Sequence, residues 1–241
     1  MKRIVDFTFS LIGIIVFSPI IIIISILIWF QDFHNPFFFA NRVGKNFKLF
    51  KMIKFRSMIV NADSSGVDST SSNDKRITKL GSFIRKFKLD EIPQLFNVFF
   101  GQMSLVGPRP NVKRETDLYT EDEKLILSLK PGITDFSSIV FSDEGEILKD
   151  SHDPDLDYNQ LIRPWKSRLA IFYVQNSNLI IDIKIIYLTI QSLFNKKKVL
   201  KKIAYILESQ SANFELIQVA KRQKKLIPTP PPGMNEIISS R

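Results

Sequence analysis

An uncharged apolar segment near the N-terminus restricts the possible folds of this chain more than any other feature. From Phe7 to Phe30 there are 24 residues without a charge, and Ile20 to Ile24 are consecutive isoleucines. A straight helix of this length measures about 36 Å, whereas the hydrocarbon core of a bilayer is about 30 Å thick. The chain is therefore expected to carry a membrane segment.

The charges on either side of this segment restrict how it can lie in a bilayer. Lys2 and Arg3 precede it, six cations follow between residues 42 and 56, and Asp32 is the only acid from 31 to 56. The positive-inside rule favours a cytoplasmic position for both cationic flanks. A single straight span cannot satisfy that preference.

Ser18-Pro19, near the middle of the segment, offers a point at which the chain can turn back. Proline removes one backbone donor and clashes with the preceding turn, and a neighbouring serine hydroxyl can satisfy the freed carbonyl. We therefore predict that residues 1–34 form a re-entrant helix, broken at Ser18 and Pro19, that enters and leaves by the cytoplasmic face. A kinked bitopic span is the alternative.

The net charge points to an anionic partner. Lys and Arg total 34 against 24 Asp and Glu, for a formal charge of +10, which suits nucleic acid, anionic lipid or a phosphorylated substrate. The 21 Phe and the isoleucine run favour lipid, so we expect no nucleic-acid partner. The absence of Cys excludes disulfides, thiolate nucleophiles and Cys-zinc sites.

A second informative stretch, from Ile77 to Pro110, places the adjacent acids Asp90 and Glu91 between a basic amphipathic segment and a Gly-Pro-Arg-Pro turn. The amphipathic segment carries cations on one side and an apolar helical stripe on the other. That stripe consists of Leu80, Phe83, Ile84 and Phe87. A carboxylate pair among cations suits phosphate chemistry at the start of the next helix. A plain helix-capping role for Asp90 is an equal alternative.

The sequence KLDEIPQLFNVFFGQMSLVGPRP, from Lys88 to Pro110, closely resembles the signature of the bacterial sugar transferase family, the monotopic polyprenyl-phosphate phosphoglycosyl transferases. Shorter matches follow the family's order at Ser18-Pro19, Arg42-Val43-Gly44, Lys54-Phe55-Arg56, Arg76-Ile77-Thr78 and Lys130-Pro131-Gly132-Ile133-Thr134. The resemblance covers roughly residues 1–195. Asp143-Glu144-Gly145-Glu146 resembles a recurrent acidic variant, and this region is expected to line the sugar or nucleotide side of the site.

The resemblance implies a role for each matched residue. Asp90 would be the nucleophile that takes a sugar-1-phosphate from a UDP-sugar and releases UMP, before a polyprenyl phosphate accepts the phosphosugar. Glu91 would position Mg²⁺ or accept a proton, and both acids are candidate ligands because Mg²⁺ favours carboxylate oxygens. The cations expected to bind phosphate are Lys54, Arg56, Arg76 and Arg109. A structural salt bridge from Arg109 to one of the acids is the alternative.

Together these features predict an α+β, mostly helical protein in three parts. Residues 1–34 form the re-entrant membrane helix. Residues 35–195 form a membrane-associated cytoplasmic catalytic domain, with interfacial amphipathic helices and a small core that includes a few strands. Residues 196–241 form a basic helical extension with a Pro-rich tail, which is not expected to be helical from Pro228 onwards.

The predicted function is transfer of a sugar-1-phosphate from a UDP-sugar to a polyprenyl phosphate, which initiates glycan assembly. The expected location is the cytoplasmic leaflet of the bacterial inner membrane, with both termini on the cytoplasmic side. The alternative is a non-catalytic membrane adaptor that recruits glycan-assembly enzymes through its basic tail. Retention of Asp90, Glu91 and Arg109 together argues against it, because an adaptor does not require this set.

Overall fold

In the computed structural model, which describes residues 1–62, 70–71 and 73–239, the apolar N-terminal segment forms one helix, α1 (Lys2–Asp32). In this described part of the chain it is the one helix that is long and apolar enough, by length and composition, to cross a membrane. Most of its large apolar side chains are exposed, including Ile15, Val16 and Ile22. Such a surface is suited to contact with lipid rather than water.

The backbone of α1 remains helical across Pro19. Because proline has no N–H, the carbonyl of Ile15 loses its usual donor, and the Ser18 hydroxyl donates to that carbonyl at 2.8 Å instead. The compensation expected at Ser18-Pro19 is therefore present, without an interruption of the helix. The re-entrant path through the membrane stays a prediction.

The N-terminal end of α1 is attached to the folded body by charged side chains. The Lys2 ammonium donates to the carboxylate of Asp182 at 2.5 Å. Asp6 is buried and accepts from the Ser104 hydroxyl at 2.9 Å and from the Leu105 N–H at 3.0 Å. Charge-assisted hydrogen bonds of this kind are stronger than neutral ones, so they fix the start of the helix.

The C-terminal end of α1 is attached to the same body. Asp32 accepts two hydrogen bonds from the Arg56 guanidinium, at 2.5 and 2.6 Å. One turn earlier, Ile28 is 1% exposed and belongs to an apolar cluster with Phe55 and Ile84. Both ends of the apolar helix therefore contact one folded unit.

The basic and aromatic stretch after α1 forms a hairpin of β1 (Phe37–Val43) and β2 (Leu49–Phe55), which pair antiparallel. Ala40 and Met52 are buried on one face of the hairpin. Asn97 holds β2 in place, because its side chain accepts from the Ile53 N–H at 2.8 Å and donates to the Lys51 carbonyl at 2.7 Å. The hairpin presents Lys54 and Arg56 at one end.

The predicted amphipathic segment forms α2 (Lys79–Lys86), which begins where the Thr78 hydroxyl accepts from the Gly81 N–H at 2.9 Å. Its apolar stripe divides into two parts. Ile84 is fully buried against α1, whereas Phe83 and Phe87 are 56% and 51% exposed and lie side by side, 5.1 Å between ring centroids. Only half of the expected stripe therefore packs on the protein.

A short 3₁₀ turn, Leu89–Glu91, connects α2 to α3 (Gln94–Phe99). Pro93 occupies the N-cap position of α3, where its missing N–H costs nothing. Farther along, β3 (Ser104–Val106) and β4 (Gly132–Thr134) form a short parallel pair. A Cβ added at Gly132 would lie 2.1 Å from the backbone nitrogen of Gly107, so the two glycines permit this close approach.

The remaining chain is helical and supplies the main core. Its helices are α4 (Lys113–Thr116), α5 (Glu121–Lys124), α6 (Phe136–Val140), α7 (Glu144–Ile147), α8 (Pro154–Asp157), α9 (Arg163–Asn176), α10 (Leu179–Ser192), α11 (Lys196–Ser209) and α12 (Phe214–Lys221). Buried residues of α9 and α10 share one apolar cluster with those of α11 and α12. The helical part of the predicted extension therefore packs into the body. The expectation of a mixed, mostly helical fold is confirmed.

The Pro-rich tail after α12 is not helical, as expected, and it lies against the body. The Thr229 N–H donates to the Gln160 carbonyl at 3.0 Å, and the Arg168 guanidinium donates to the Pro230 carbonyl at 3.0 Å. The Thr120 hydroxyl donates to a third tail carbonyl, that of Pro232, at 2.6 Å. These contacts hold the tail against the start of α5, the turn before α9 and α9 itself.

Candidate active site

A cleft of about 1450 Å³ opens between the hairpin, the 3₁₀ turn and the helical body. All six of the predicted catalytic and phosphate-binding residues line it: Lys54, Arg56, Arg76, Asp90, Glu91 and Arg109. Ser18 and Pro19 lie on α1 and do not line it. The fold therefore brings together residues that are up to 55 positions apart in the sequence.

Asp90 lies on the 3₁₀ turn, after Lys88 in a left-handed conformation with φ 55°. Its side chain is 8% exposed and makes no hydrogen bond or ion pair within the described part of the chain. It caps neither the turn nor α3, so the structure does not support the helix-capping alternative. The carboxylate is instead available to a bound group in the cleft.

The environment of Asp90 disfavours its charge when no substrate is present. Burial raises the pKa of Asp90, and the adjacent charge of Glu91 raises it further. The cations Lys54, Arg85 and Arg109 oppose these effects without cancelling them. A cation that binds beside Asp90 would therefore favour the ionised form.

Glu91 is held by two cations. Both of its carboxylate oxygens accept from the Arg109 guanidinium, one at 2.9 Å, and the Lys54 ammonium lies 3.5 Å from one of them. Burial alone would raise the pKa of Glu91, but the charges of Arg109 and Lys54 hold it well below its usual range. Glu91 therefore stays ionised and is a poor proton acceptor, which favours an electrostatic role over general-base catalysis.

Arg109 is positioned by the turn that follows β3. Pro108 and Pro110 restrict the backbone on both sides, and the guanidinium also donates to the carbonyl of Ile133, on β4, at 3.3 Å. The Arg109–Glu91 salt bridge anticipated as an alternative is thus present. Arg109 also lines the cleft, and phosphate binding by this residue stays a prediction.

Arg56 and Arg76, also expected to bind phosphate, are already paired. Arg56 makes a two-fold contact with Asp32 and also donates to the Asn35 carbonyl at 2.9 Å. Arg76 donates to the carboxylate of Asp74, with the shortest contact at 2.6 Å. Both guanidinium groups are therefore engaged by carboxylates, and phosphate binding by either residue stays a prediction.

The carboxylates fit a magnesium ion that takes most of its ligands from water and substrate. No group of three or more His, Asp or Glu side chains suited to a metal occurs in residues 1–62, 70–71 and 73–239, so a cage made of protein ligands alone is absent there. Asp90 offers a hard oxygen donor that has no protein partner in the same ranges. Mg²⁺ is commonly held by one or two carboxylates together with phosphate oxygens.

Five further cations line the cleft and were not singled out with the phosphate-binding set: Arg42, Arg85, Lys86, Lys88 and Lys166. Arg85 and Lys88 both precede Asp90, and neither forms an ion pair within the described ranges. Their positions, five and two residues before Asp90, are the sequence signal that could have identified them. Lys166 also lines the cleft, but its ammonium lies 2.5 Å from Glu144.

Comparison with known proteins gives this geometry a family context. A family model described as bacterial sugar transferase matches residues 1–196. The UDP-N-acetylgalactosamine-undecaprenyl-phosphate N-acetylgalactosaminephosphotransferase of Aeromonas hydrophila is 31% identical over 80% of this chain and 43% of that protein. The undecaprenyl-phosphate galactose phosphotransferase of Salmonella typhimurium is 35% identical over 78% of this chain and 39% of that protein.

A shorter relative is matched over most of its length. The exopolysaccharide production protein ExoY of Sinorhizobium fredii is 33% identical over 78% of this chain and 83% of that protein. The chain spans about two fifths of the Aeromonas and Salmonella proteins. The family model covers about four fifths of the chain, including all six predicted catalytic and phosphate-binding residues. The chain therefore belongs to the bacterial sugar transferase family.

Proposed function

We propose that this protein transfers a sugar-1-phosphate from a UDP-sugar to a polyprenyl phosphate and thereby initiates glycan assembly. The observation that carries the proposal is Asp90, a mostly buried carboxylate in a cationic cleft with no partner in the described part of the chain. The Aeromonas and Salmonella relatives, both named as undecaprenyl-phosphate sugar phosphotransferases, support the acceptor class.

The reaction proceeds in two displacements at the same phosphorus atom. The Asp90 carboxylate oxygen attacks the β-phosphorus of the UDP-sugar, and the bond from that phosphorus to the bridging oxygen breaks. UMP leaves with the electron pair, and Asp90 carries the phosphosugar as an acyl phosphate. A phosphate oxygen of the lipid then attacks this phosphorus, the bond to Asp90 breaks, and the carboxylate is regenerated.

The other residues of the cluster position the phosphates and balance their charge. The Arg109 guanidinium presents a planar set of donors suited to phosphate oxygens, and it is held by Glu91. Lys54 adds a second positive charge beside Glu91. Mg²⁺, for which Asp90 and Glu91 are the candidate ligands, would neutralise phosphate charge when bound.

The attachment of α1 supports a monotopic arrangement at the inner leaflet. Both ends of α1 contact one folded unit, through Asp182 at the start and Arg56 at the end. In a bitopic span one end would lie about 30 Å away, across the hydrocarbon core. We therefore place both ends of α1 and the cleft on the cytoplasmic face of the bacterial inner membrane.

Release of UMP from purified protein tests the proposal. With Mg²⁺, polyprenyl phosphate and a panel of UDP-sugars, we expect UMP release for at least one donor, and a phosphosugar adduct on the unmodified protein when the lipid is withheld. Asp90→Asn should abolish both the adduct and the turnover. Unchanged turnover in Asp90→Asn would refute the covalent mechanism. Absence of UMP release with every donor would instead favour the non-catalytic adaptor.

A further inference from the structure

The acidic segment at the cleft wall presents a physical problem for the proposed donor. Asp143, Glu144 and Glu146 all line the cleft that contains Asp90. A nucleoside diphosphate carries negative charge, so unpaired carboxylates along this wall would repel it. Cations that pair with carboxylates of this wall would therefore favour binding of such a donor.

Residues from the C-terminal part of the chain neutralise Asp143. One carboxylate oxygen lies 3.0 Å from the ammonium of Lys196, at the start of α11, and the other lies 3.2 Å from the guanidinium of Arg222, which ends α12. Arg222 is held in place because its guanidinium lies over the ring of Phe141, 5.3 Å from the centroid. Its side chain is 14% exposed, so the contact is largely shielded from water.

Glu144 is neutralised from the opposite side. The Lys166 ammonium, on α9, lies 2.5 Å from its carboxylate and 5.3 Å from the centroid of the Tyr158 ring. Burial would lower the pKa of Lys166, but the charge of Glu144 outweighs it and raises that pKa. The acidic segment is therefore clamped between the core helix α9 and the C-terminal helices.

We propose that Arg222, supported by Lys196, is a positioning residue that holds the acidic wall of the donor site and neutralises Asp143 within it. Arg222 lies beyond residues 1–196, the region that the family model matches, so the C-terminal helices are a functional part of the cleft in this chain. The inference rests on the proposed function for the identity of the donor, a nucleoside diphosphate sugar. Loss of the guanidinium leaves Asp143 with only one cation and returns negative charge to the wall.

Donor binding to a variant that does not turn over provides the first test. In Asp90→Asn protein, calorimetric titration with a UDP-sugar should show affinity about three- to ten-fold weaker after Arg222→Gln, a range typical of coupled charges. Lys224→Gln is the matched control, because it removes the same charge from an exposed residue two positions later. Equal affinity in the Arg222→Gln and Lys224→Gln proteins would overturn the proposal.

A second variant separates neutralisation from a loss of folding. Adding Asp143→Asn to Arg222→Gln removes the unpaired carboxylate, so donor affinity should recover to within about two-fold of the parent, while Arg222→Lys should retain most of it. Failure of Asp143→Asn to restore donor affinity would contradict the proposed neutralisation of Asp143 by Arg222. In the active enzyme, Arg222→Gln should raise the donor KM and leave kcat within about two-fold.

The two proposals fail in different ways. If Asp90-containing protein shows no UMP release but donor affinity still depends on Arg222, the proposed transfer reaction is wrong and the clamp remains. If UMP release is normal and donor affinity does not depend on Arg222, the clamp is wrong and the transfer reaction remains.

Discussion

The side chain of Asp90 is subject to two opposing demands. The proposed role as nucleophile requires an ionised carboxylate, whereas burial and the neighbouring Glu91 both raise the pKa of Asp90 and favour its protonated form. The described residues around it supply charge from a distance, and none donates a hydrogen bond to it. We infer that the substrate-free site holds Asp90 in an unfavourable state that bound cations relieve, which is typical of catalytic groups.

Because ionisation of the buried Asp90 carboxylate is unfavourable, we predict that Asp90→Asn stabilises the metal-free protein and removes its activity. Because the folded-state pKa of Asp90 is raised, the native state binds its proton more tightly, so the free energy of unfolding falls as the pH rises from 3.8 through that raised pKa. Asn carries no such charge. At pH 7 with a chelator we expect a Tm increase of about 2–4 °C, equivalent to about 1 kcal/mol, and no increase below pH 3.8.

Glu91→Gln provides the contrasting control. The pKa of Glu91 is held low by Arg109 and Lys54, so its stabilising contribution is present above the unfolded-state pKa of 4.5 and is lost as the pH falls through the lower folded-state value. Neutral Gln should therefore lower the Tm at pH 7. A Tm decrease in Asp90→Asn would show that the buried carboxylate has a partner that stabilises it.

For single residues, the sequence indicated which side chains form the site but not which side chains each of them contacts. The acids and Arg109 could be predicted as a group because they are close along the chain and match a signature. The Asp32 partner of Arg56 lies 24 positions away, and nothing in the local pattern distinguishes a guanidinium that binds a carboxylate from one that binds phosphate. That distinction depends on tertiary contacts.

Among the secondary-structure elements, apolar periodicity predicted the helices well but could not say what each apolar face touches. The stripe of α2 contains both Ile84, buried against α1, and Phe83, which is exposed. Lipid-facing and core-facing side chains are equally apolar, so the sequence pattern does not separate them.

Because β3 and β4 approach each other closely, we predict that Gly132→Ala disables the site although Gly132 itself does not contact it. The added methyl would lie 2.1 Å from the Gly107 nitrogen and 2.4 Å from its oxygen, so β4 must move away from the turn that carries Arg109. We expect a loss of about 2–3 kcal/mol in the free energy of unfolding and a loss of UMP release.

Gly44→Ala serves as the comparison for this stability measurement. Its methyl would meet a flexible ring, that of Phe50, at 3.2 Å and the Lys48 carbonyl at 3.3 Å, so the neighbouring atoms need to shift only slightly. Denaturant unfolding should show a cost of about 0.5 kcal/mol or less. Similar costs for the two alanine variants would mean that β3 and β4 can separate without strain.

The attachment of α1 at both ends predicts its topology. Because the chain has no Cys, a single cysteine can be placed ahead of Met1 or at position 34, as His34→Cys, and reacted with an impermeant maleimide. Both cysteines should react in inverted vesicles and neither in right-side-out vesicles, while Ile15→Cys, on the exposed apolar face of α1, should react in neither. Opposite exposure of the two ends would establish a bitopic span.

For the molecule as a whole, the C-terminal region has a larger role than its basic composition suggests. Lysine clusters near residues 196–202 and 221–225 indicated a surface extension, because the sequence shows charge more clearly than it shows the apolar residues between those charges. The structure places that apolar set in the main core, alongside α9 and α10. The same region contributes Lys196 and Arg222, which form ion pairs with Asp143 in the cleft wall.

Truncation distinguishes an integral part of the fold from an appendage. A chain that ends at Asn195 loses the nine buried apolar residues that α11 and α12 contribute to the main core. Each large buried aliphatic side chain contributes about 1.5–3 kcal/mol, so the sum is comparable to or larger than the stability of about 5–15 kcal/mol typical of a domain. We expect this protein to aggregate in detergent and to show no cooperative thermal unfolding.

A chain that ends at Lys225 supplies the control, because it keeps α11, α12 and Arg222 and loses only the Pro-rich tail. The tail contacts the body through hydrogen bonds such as those at Pro230 and Pro232, each of which contributes about 1 kcal/mol. This shorter protein should therefore unfold cooperatively with a modestly lower Tm and keep its UMP release. If the chain ending at Asn195 folded and released UMP at the full-length rate, both the shared core and the Arg222 clamp would be dispensable for the proposed reaction.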